Sequence, residues 1–409
     1  MVWKLAQSPK VTEIYVTPGN AGTAQIAQNL NISPADITKL IKVALEKRVN
    51  LTVVGPEAPL ASGIADEFLI RGMQIFGPTK AATRIESSKV FAKELMQKHN
   101  IPCARSMSFS SYAEAKEYVM KLSPPIVIKA DGLAAGKGVT VASTIPQAVD
   151  TLANIMEAKA FGAAGDRVVI EEHLKGKEVS TFAFTDAHTT VPMVAACDYK
   201  SVFDGGQGPN TGGMGSYSPP DFFSPSLAKA VAETIMAPVL RALHDMGTPY
   251  KSVLYSGLML TDDGPKALEF NARFGDPEAQ VILPRLKTDL FDIMLAIADH
   301  NLNEMNNIEW SEDACVGVVM ASAGYPDSYK TGFPITGLNN LDKDILVFHA
   351  ATKVVPGGEV VTNGGRVLTV VATGKTITEA REKVYTNISR INFEGCHYRK
   401  DIAKIDVSK

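Results

Sequence analysis

The sequence predicts a multidomain protein of mixed α/β and α+β class, and three observations predict it. Short strands alternate with helices over residues 11–76, a strand-rich segment fills 126–184, and strands return beyond about residue 308. A chain of 409 residues is also too long for one ordinary core, so several domains are expected.

The elements follow in order. VTEIYV (11–16), a helix over about 33–48, LTVV (51–54), a helix over about 60–71 and QIF (74–76) carry the α/β signature. Ser33 stands as N-cap of the 33–48 helix, with Pro34 at its first position and Asp36 in its first turn, an arrangement that satisfies orphaned N–H groups. Pro18-Gly19-Asn20, Gly55-Pro56-Glu57 and Gly77-Pro78-Thr79 follow the strands. Open α/β sheets bind ligands at such strand ends, and a small phosphorylated molecule could sit there. From Glu86 to Asn100 an amphipathic helix turns Val90, Phe91, Leu95 and Met96 inward, with Lys89 and Lys93 at its edge. IVIK (126–129), VTVA (139–142), RVVIEE (167–172) and EVSTFAF (178–184) fit one small, mostly antiparallel sheet. Residues 204–220 read as a long Gly- and Pro-rich loop, and 226–246 as a helix kinked by Pro238. SVLYSGLML, a turn at Thr261-Asp262-Asp263-Gly264, and PKALEFNA form a hairpin. CVGVVMAS, ILVFHA, RVLTVVA and a helix near 376–390 make a separate C-terminal module.

Composition removes several function classes. A formal net charge of -3 without a basic run argues against a nucleic-acid partner. No apolar stretch is long enough to span a bilayer and the N-terminus lacks a secretory pattern, so a cytoplasmic protein is expected. Cys103, Cys197, Cys315 and Cys396 form no CxxC pair, and the seven histidines are scattered, which leaves a zinc hydrolase little support.

The chemistry concentrates in LEFNARFGDPE (268–278). Alternate side chains share a strand face, so Glu269, Asn271 and Arg273 point one way while Leu268, Phe270 and Ala272 point the other. Two hard oxygen ligands followed by a cation suit magnesium shared with phosphate oxygens; a solvated edge strand is the plain alternative. DGLAAGKG (131–138) resembles a phosphate loop but misses the Walker spacing by one residue, has Gly138 where Ser or Thr should stand, and leads into a strand. A hairpin folding its N–H groups over phosphates fits better, with Lys129 and Lys137 able to meet one polyphosphate; ordinary surface lysines are the alternative. In VVIEEHLKGKEVS (168–180) backbone groups around Glu171 and Leu174 could read an adenine while Glu178 accepts from ribose hydroxyls, although acidic residues at strand ends are usually just solvated. GPNTGGMG (208–215) places four glycines beside Asn210 and Thr211, a loop able to approach a small substrate or cover a site, or simply a mobile one.

Lys89, the 129–138 loop, the 171–178 segment and LEFNARFGDPE occur in the order found in ATP-grasp ligases. PGNAGTA (18–24), VVGPEAPL (53–60), ESSKVFAKELM (86–96), KADGLAAGKGV (129–139), GPNTGGMGSYSP (208–219), GGRVL (364–368) and YRKDIA (398–403) further resemble the glycinamide ribonucleotide synthetase family of purine biosynthesis, almost end to end. The resemblance implies an N-terminal doubly wound domain over 1–84, an ATP-grasp domain over 85–307 with a lid at about 105–175, and a small β-rich domain over 308–409. It implies ATP contacts at Lys89, Lys129, Gly132, Gly136, Lys137, Gly138, Glu171, Glu172, Leu174 and Glu178, and Mg²⁺ or Mn²⁺ on Glu269 and Asn271. Glycine and 5-phosphoribosylamine would meet Gly19, Asn20, Glu57, Asp198, Lys200, Asn210, Thr211, Gly212 and Gly213. Arg273 and Lys137 would serve catalysis, in a monomer acting on small molecules.

Three departures accompany the resemblance. The family opens with a strand and a GGREH loop before a helix like VWKLAQS, whereas Met1 stands directly ahead of that helix here. A weakened N-terminal domain with poor phosphoribosylamine binding is the expectation. A DHKR-like stretch reads Asp198-Tyr199-Lys200-Ser201, and Gly257 stands where many ATP-grasp enzymes place an acidic metal ligand. Two rivals follow: an ATP-binding but catalytically impaired protein, and another ATP-grasp carboxylate–amine ligase, such as a biotin carboxylase relative, against which PGNAGTA and GPNTGGMG argue.

Overall fold

Two four-stranded sheets face each other across a deep cleft. The computed structural model describes residues 1–133, 138–305 and 307–404, so Gly136 and Lys137 of the glycine hairpin lie outside the described residues. The smaller sheet is antiparallel, built from Ser106–Phe109, Val168–Glu172, Ile126–Ala130 and Val139–Ala142 in that spatial order. The helices Tyr112–Val119 and Ile145–Met156 cover one face, burying Ala115, Val119, Leu152 and Ile155 against Ile126, Ile128 and Ile170. Thr144 caps the second helix by accepting from Gln147 N, with Pro146 in its first turn.

The larger sheet runs Thr190–Pro192, Lys177–Asp186, Lys251–Thr261, Gly264–Asn271. EVSTFAF therefore belongs to this second sheet, not to the small one as the sequence pattern suggested. What decides that assignment is ten residues paired antiparallel with 251–260, from Asp186 opposite Lys251 to Lys177 opposite Leu260. Phe182 and Phe184 are fully buried on it, each contributing roughly 1.5–3 kcal/mol.

The N-terminal segment forms two separate parallel strand pairs, Tyr15–Val16 with Gln28–Asn29 and Thr52–Val53 with Ile75–Phe76. Its helix begins later than Ser33: Asp36 is the N-cap, its carboxylate accepting from Lys39 N, and the helix runs Ile37–Glu46. Asp at an N-cap takes a β-type or intermediate backbone and a charge-assisted bond, and here it outcompetes the Ser-Pro signal. The expected 60–71 helix breaks at Gly63, which sits at φ +91 between Glu57–Ala61 and Ile64–Ile70.

Other expectations shift for equally local reasons. The 204–220 segment is not all loop, since Gln207–Asn210 pairs with Ser201–Phe203 and Gly215–Ser218 joins a sheet. The irregularity near Pro238 is a π-helical turn, Ala232–Met236, with Pro238 itself in the first turn of Ala237–Asp245. The C-terminal strands Ala314–Ala321, Arg366–Gly374 and Ile345–His349 do not form a sheet of their own: Cys197–Asp198 and Gly215–Ser218 extend it. That shared sheet fixes the C-terminal segment against the cleft.

Candidate active site

A cleft of about 1090 Å³ lies between the two sheets and reaches the N- and C-terminal segments. Its floor is the strand Gly264–Asn271. A bulge at Leu268 interrupts the pleat, because Gly257 pairs with Glu269 while Leu258 pairs with Ala267. Ala267, Phe270 and Ala272 enter the core. Leu268 instead lines the cleft, contrary to simple alternation. Its carbonyl accepts from Lys129 Nζ at 3.1 Å. Glu269 and Asn271 remain together on the cleft side. A Cβ at Gly257 would stand 3.4 Å from Glu269 Cγ, so the residue opposite the acid is small where the acid needs room.

Electrostatics favour an ionised Glu269. Burial pushes its carboxyl up, but Lys200, Lys129, Lys89 and Arg273 outweigh it and hold the group below the usual carboxylate range. Among the described residues no cluster of three or more His, Cys, Asp or Glu side chains is placed to hold a metal ion. Glu269 and Asn271 nevertheless fit a magnesium-like ion: a carboxylate and an amide oxygen on one face are hard donors that leave most positions to phosphate and water.

The lysines converge from three elements. Ser88 caps Lys89–Lys98 by accepting from Phe91 N, and Lys89 at its start donates to Gly132 O at 2.9 Å. Burial lowers the Lys89 ammonium, and neighbouring Lys129 adds to this. Gly132 is at φ +110, with Ala164 Cβ 3.1 Å from where a Cβ would stand. Gly138 O accepts from Ala130 N at 2.8 Å, closing the hairpin base. Lys129 also pairs with Glu171 at 3.1 Å.

Lys93 does not sit at the helix edge. Its side chain is 3% exposed, 3.2 Å from Glu171, and burial lowers its ammonium. Neither Lys93 Nζ nor Glu171 Oε1 has a hydrogen-bond partner of good geometry. Glu172 is engaged by Arg105, whose backbone N and Nε donate at 2.9 and 2.8 Å. Leu174 lines the cleft, and Glu178 accepts from Lys200 Nζ at 2.9 Å.

Asp198, Lys200, Asn210, Thr211 and Gly212 also line the wall. Burial raises the Asp198 carboxyl; Lys200 opposes this, while the nearby carboxylates of Glu178 and Glu269 add to the rise. Burial opposes the charge on Lys200, yet Asp198 and Glu178 hold it well above its ordinary value. Gly213 is absent from the cleft lining; at φ +113 it packs on Pro277, 2.3 Å from where its Cβ would be. Asn20 lines the cleft, but its Oδ1 accepts from Gly22 N and Thr23 N and its Nδ2 donates to His349 O, so the side chain builds its own turn. Gly19 lies behind it, against Asn29.

Arg273 pairs with Glu57 at 3.2 Å and Glu86 at 3.3 Å, not with Asp276 or Glu278. Glu86 also accepts from Ala272 N at 2.6 Å, and burial pushes its carboxyl up to about 7 despite Arg273. Glu278, likewise raised to about 7 by burial and Asp198, accepts from Tyr255 and Ser180 hydroxyls. Glu86, Lys93, Glu278 and Arg366 all line this cleft without having been singled out as site residues. The available signal was their place inside ESSKVFAKELM, LEFNARFGDPE and GGRVL.

Comparison with known proteins gives a consistent picture. Family models described as the N domain, the ATP-grasp (A) domain and the C domain of phosphoribosylglycinamide synthetase match residues 1–86, 87–279 and 315–405. A phosphoribosylamine–glycine ligase of Halalkalibacterium halodurans is 50% identical over 98% of this chain and 93% of that protein. The crystal structure of the phosphoribosylamine–glycine ligase of Thermotoga maritima superposes with a TM-score of 0.84 at 35% identity, covering 98% of this chain and 96% of that one. A biotin carboxylase–β,γ-ATP complex from Campylobacter jejuni shares the fold alone, with a TM-score of 0.73 at 13% identity over 97% of this chain and 90% of that one.

Proposed function

The chain belongs to the phosphoribosylglycinamide synthetase family, and on that premise we propose that it joins glycine to 5-phosphoribosylamine with ATP, giving glycinamide ribonucleotide, ADP and phosphate. The observation that carries this reading is the convergence of Lys89, Lys129, Glu269 and Asn271 on one cleft that Asp198, Lys200 and the glycine-rich loop also line. A polyphosphate and an amino acid need those two sets of residues to meet.

A carboxylate is a poor acyl donor until phosphorylation supplies a leaving group. In the first step a glycine carboxylate oxygen attacks the γ-phosphorus, and the bond to the β-phosphate oxygen breaks as ADP departs. Lys89, Lys129 and the 131–138 hairpin orient the phosphates, and Arg273, held in place by Glu57 and Glu86, faces the charge that develops. Lys137 joins them in this reading. Glu269 and Asn271 would hold Mg²⁺ or Mn²⁺, whose positive charge would offset that of the phosphates. In the second step the phosphoribosylamine nitrogen bonds to the acyl carbon of glycyl phosphate, phosphate leaves with the electron pair, and the amine loses a proton. Adenine lies by Glu171, Glu172 and Leu174, with Glu178 toward the ribose. Asp198, Lys200 and residues 210–212 hold glycine, with Gly213 shaping the loop behind them, while Asn20 and Glu57 hold the amine substrate together with Gly19, whose part is to shape the turn. The same reading places purine synthesis by a cytoplasmic monomer, acting without nucleic acid or membrane; among the described residues no helix is long and apolar enough to cross one.

The deciding assay measures ADP and glycinamide ribonucleotide with each substrate omitted in turn. Product formed only when ATP, glycine and phosphoribosylamine are all present is expected. ATP binding without turnover would favour the impaired nucleotide-binding protein instead.

A further inference from the structure

The glycine-rich loop is held from outside its own domain. Arg366, at the start of the strand Arg366–Gly374, donates through Nη1 to Gly212 O at 2.9 Å and to Asp276 O at 3.1 Å. Its Nη2 meets Asp276 Oδ2 at 2.8 Å, and Nη1 meets Asp276 Oδ1 at 3.2 Å, a two-pronged ion pair. Tyr325, from the same C-terminal segment, accepts from Gly212 N at 3.0 Å. Gly212 is therefore fixed through both its N–H and its carbonyl by side chains more than a hundred residues away. Asp276 lies in the segment that follows Arg273, so one guanidinium ties the substrate loop to the segment carrying Glu278.

We propose that Arg366 is a positioning residue that keeps the 208–215 loop closed over the acyl phosphate, so that the amine rather than water reaches it. This rests on the ligase reading above. Glycyl phosphate is an activated acyl group in an aqueous cleft, and a loop excluding water is one general way to prevent its loss. With the loop released, a water oxygen bonds to the acyl carbon, phosphate leaves with the electron pair, and the water proton passes to solvent. The net reaction becomes ATP and water to ADP and phosphate, with glycine regenerated. Loop anchoring by a planar fork that engages two carbonyls and a carboxylate suits Arg and not Lys.

The test compares ADP formed with labelled glycine incorporated into product, for the parent, Arg366→Met, Arg366→Lys and Asp276→Asn. The parent is expected to form ADP and product in equal amounts. Arg366→Met should form a several-fold excess of ADP that still requires glycine, with KM for ATP unchanged and kcat for ligation reduced. Arg366→Lys should fall between, and Asp276→Asn, which leaves the arginine in place but loosens its anchor, should also uncouple. Equal ADP and product in a folded Arg366→Met or Asp276→Asn protein, however slow, would overturn the proposal. A parent that makes no product would instead overturn the ligase reading itself.

Discussion

Glu269 shows how much one side chain depends on its surroundings. Burial alone would neutralise it, and four cations keep it ionised. Glu269→Gln keeps the shape and removes the charge, so turnover at saturating magnesium should fall on the order of 100-fold or more while the folded far-UV spectrum persists. Turnover near the parent's would show that this carboxylate does not hold the metal. Glu86 behaves oppositely, its carboxyl raised to about 7 from an unfolded value of 4.5. Between those values the folded state holds a proton that the unfolded state has lost, so this group's contribution to stability falls as pH rises through the window. Denaturant midpoints measured from pH 4.5 to 7 should decline less steeply in Glu86→Gln than in the parent; identical slopes would contradict this. Lys93 marks the limit of reading residues singly. Helical periodicity puts a lysine at the edge, but the strand bearing Glu171 covers it, and only the packed sheet supplies that carboxylate.

At the scale of elements, the sequence located most strands and helices because alternation and capping are local. Four residues, 139–142, form a strand with the bounds that the sequence suggested. The bulge at Leu268 was invisible, since it arises from registering 264–271 against 251–261 and not from either strand alone. The glycine loop offers the element-scale test. Gly213 sits at φ +113, where a side chain costs about 1–2 kcal/mol, and its Cβ would collide with Pro277. Gly213→Ala should therefore displace the loop, lowering ligation at least about 10-fold for a misplacement near 1 Å. Nucleotide affinity, measured by calorimetry, should stay unchanged, and a parallel loss of it would contradict a role confined to the substrate end.

In the whole molecule, two sheets and the C-terminal segment line one cleft, so a nucleotide bound there would bridge separate elements. A ligand present at about 100 times its Kd adds roughly 2.7 kcal/mol to the folded state. A nonhydrolysable ATP analogue with magnesium should accordingly raise Tm by several degrees, and Lys129→Met should remove most of that shift. An undiminished shift in the variant would place the phosphates elsewhere. The sequence by itself determined many of the strands and helices, the glycine loops and the ordered motifs, because hydrophobic period, turn chemistry and motif order are properties of neighbouring residues; the strand Ser106–Phe109 and the helices Tyr112–Val119 and Ile145–Met156 came only from the structure. Only the tertiary structure decided that EVSTFAF joins the larger sheet, that Lys93 is buried beside Glu171, that Arg273 lies between Glu57 and Glu86, and that Arg366 grips a loop some 150 residues earlier. Each is a contact between distant segments, fixed by sheet register and charge pairing that no local pattern encodes.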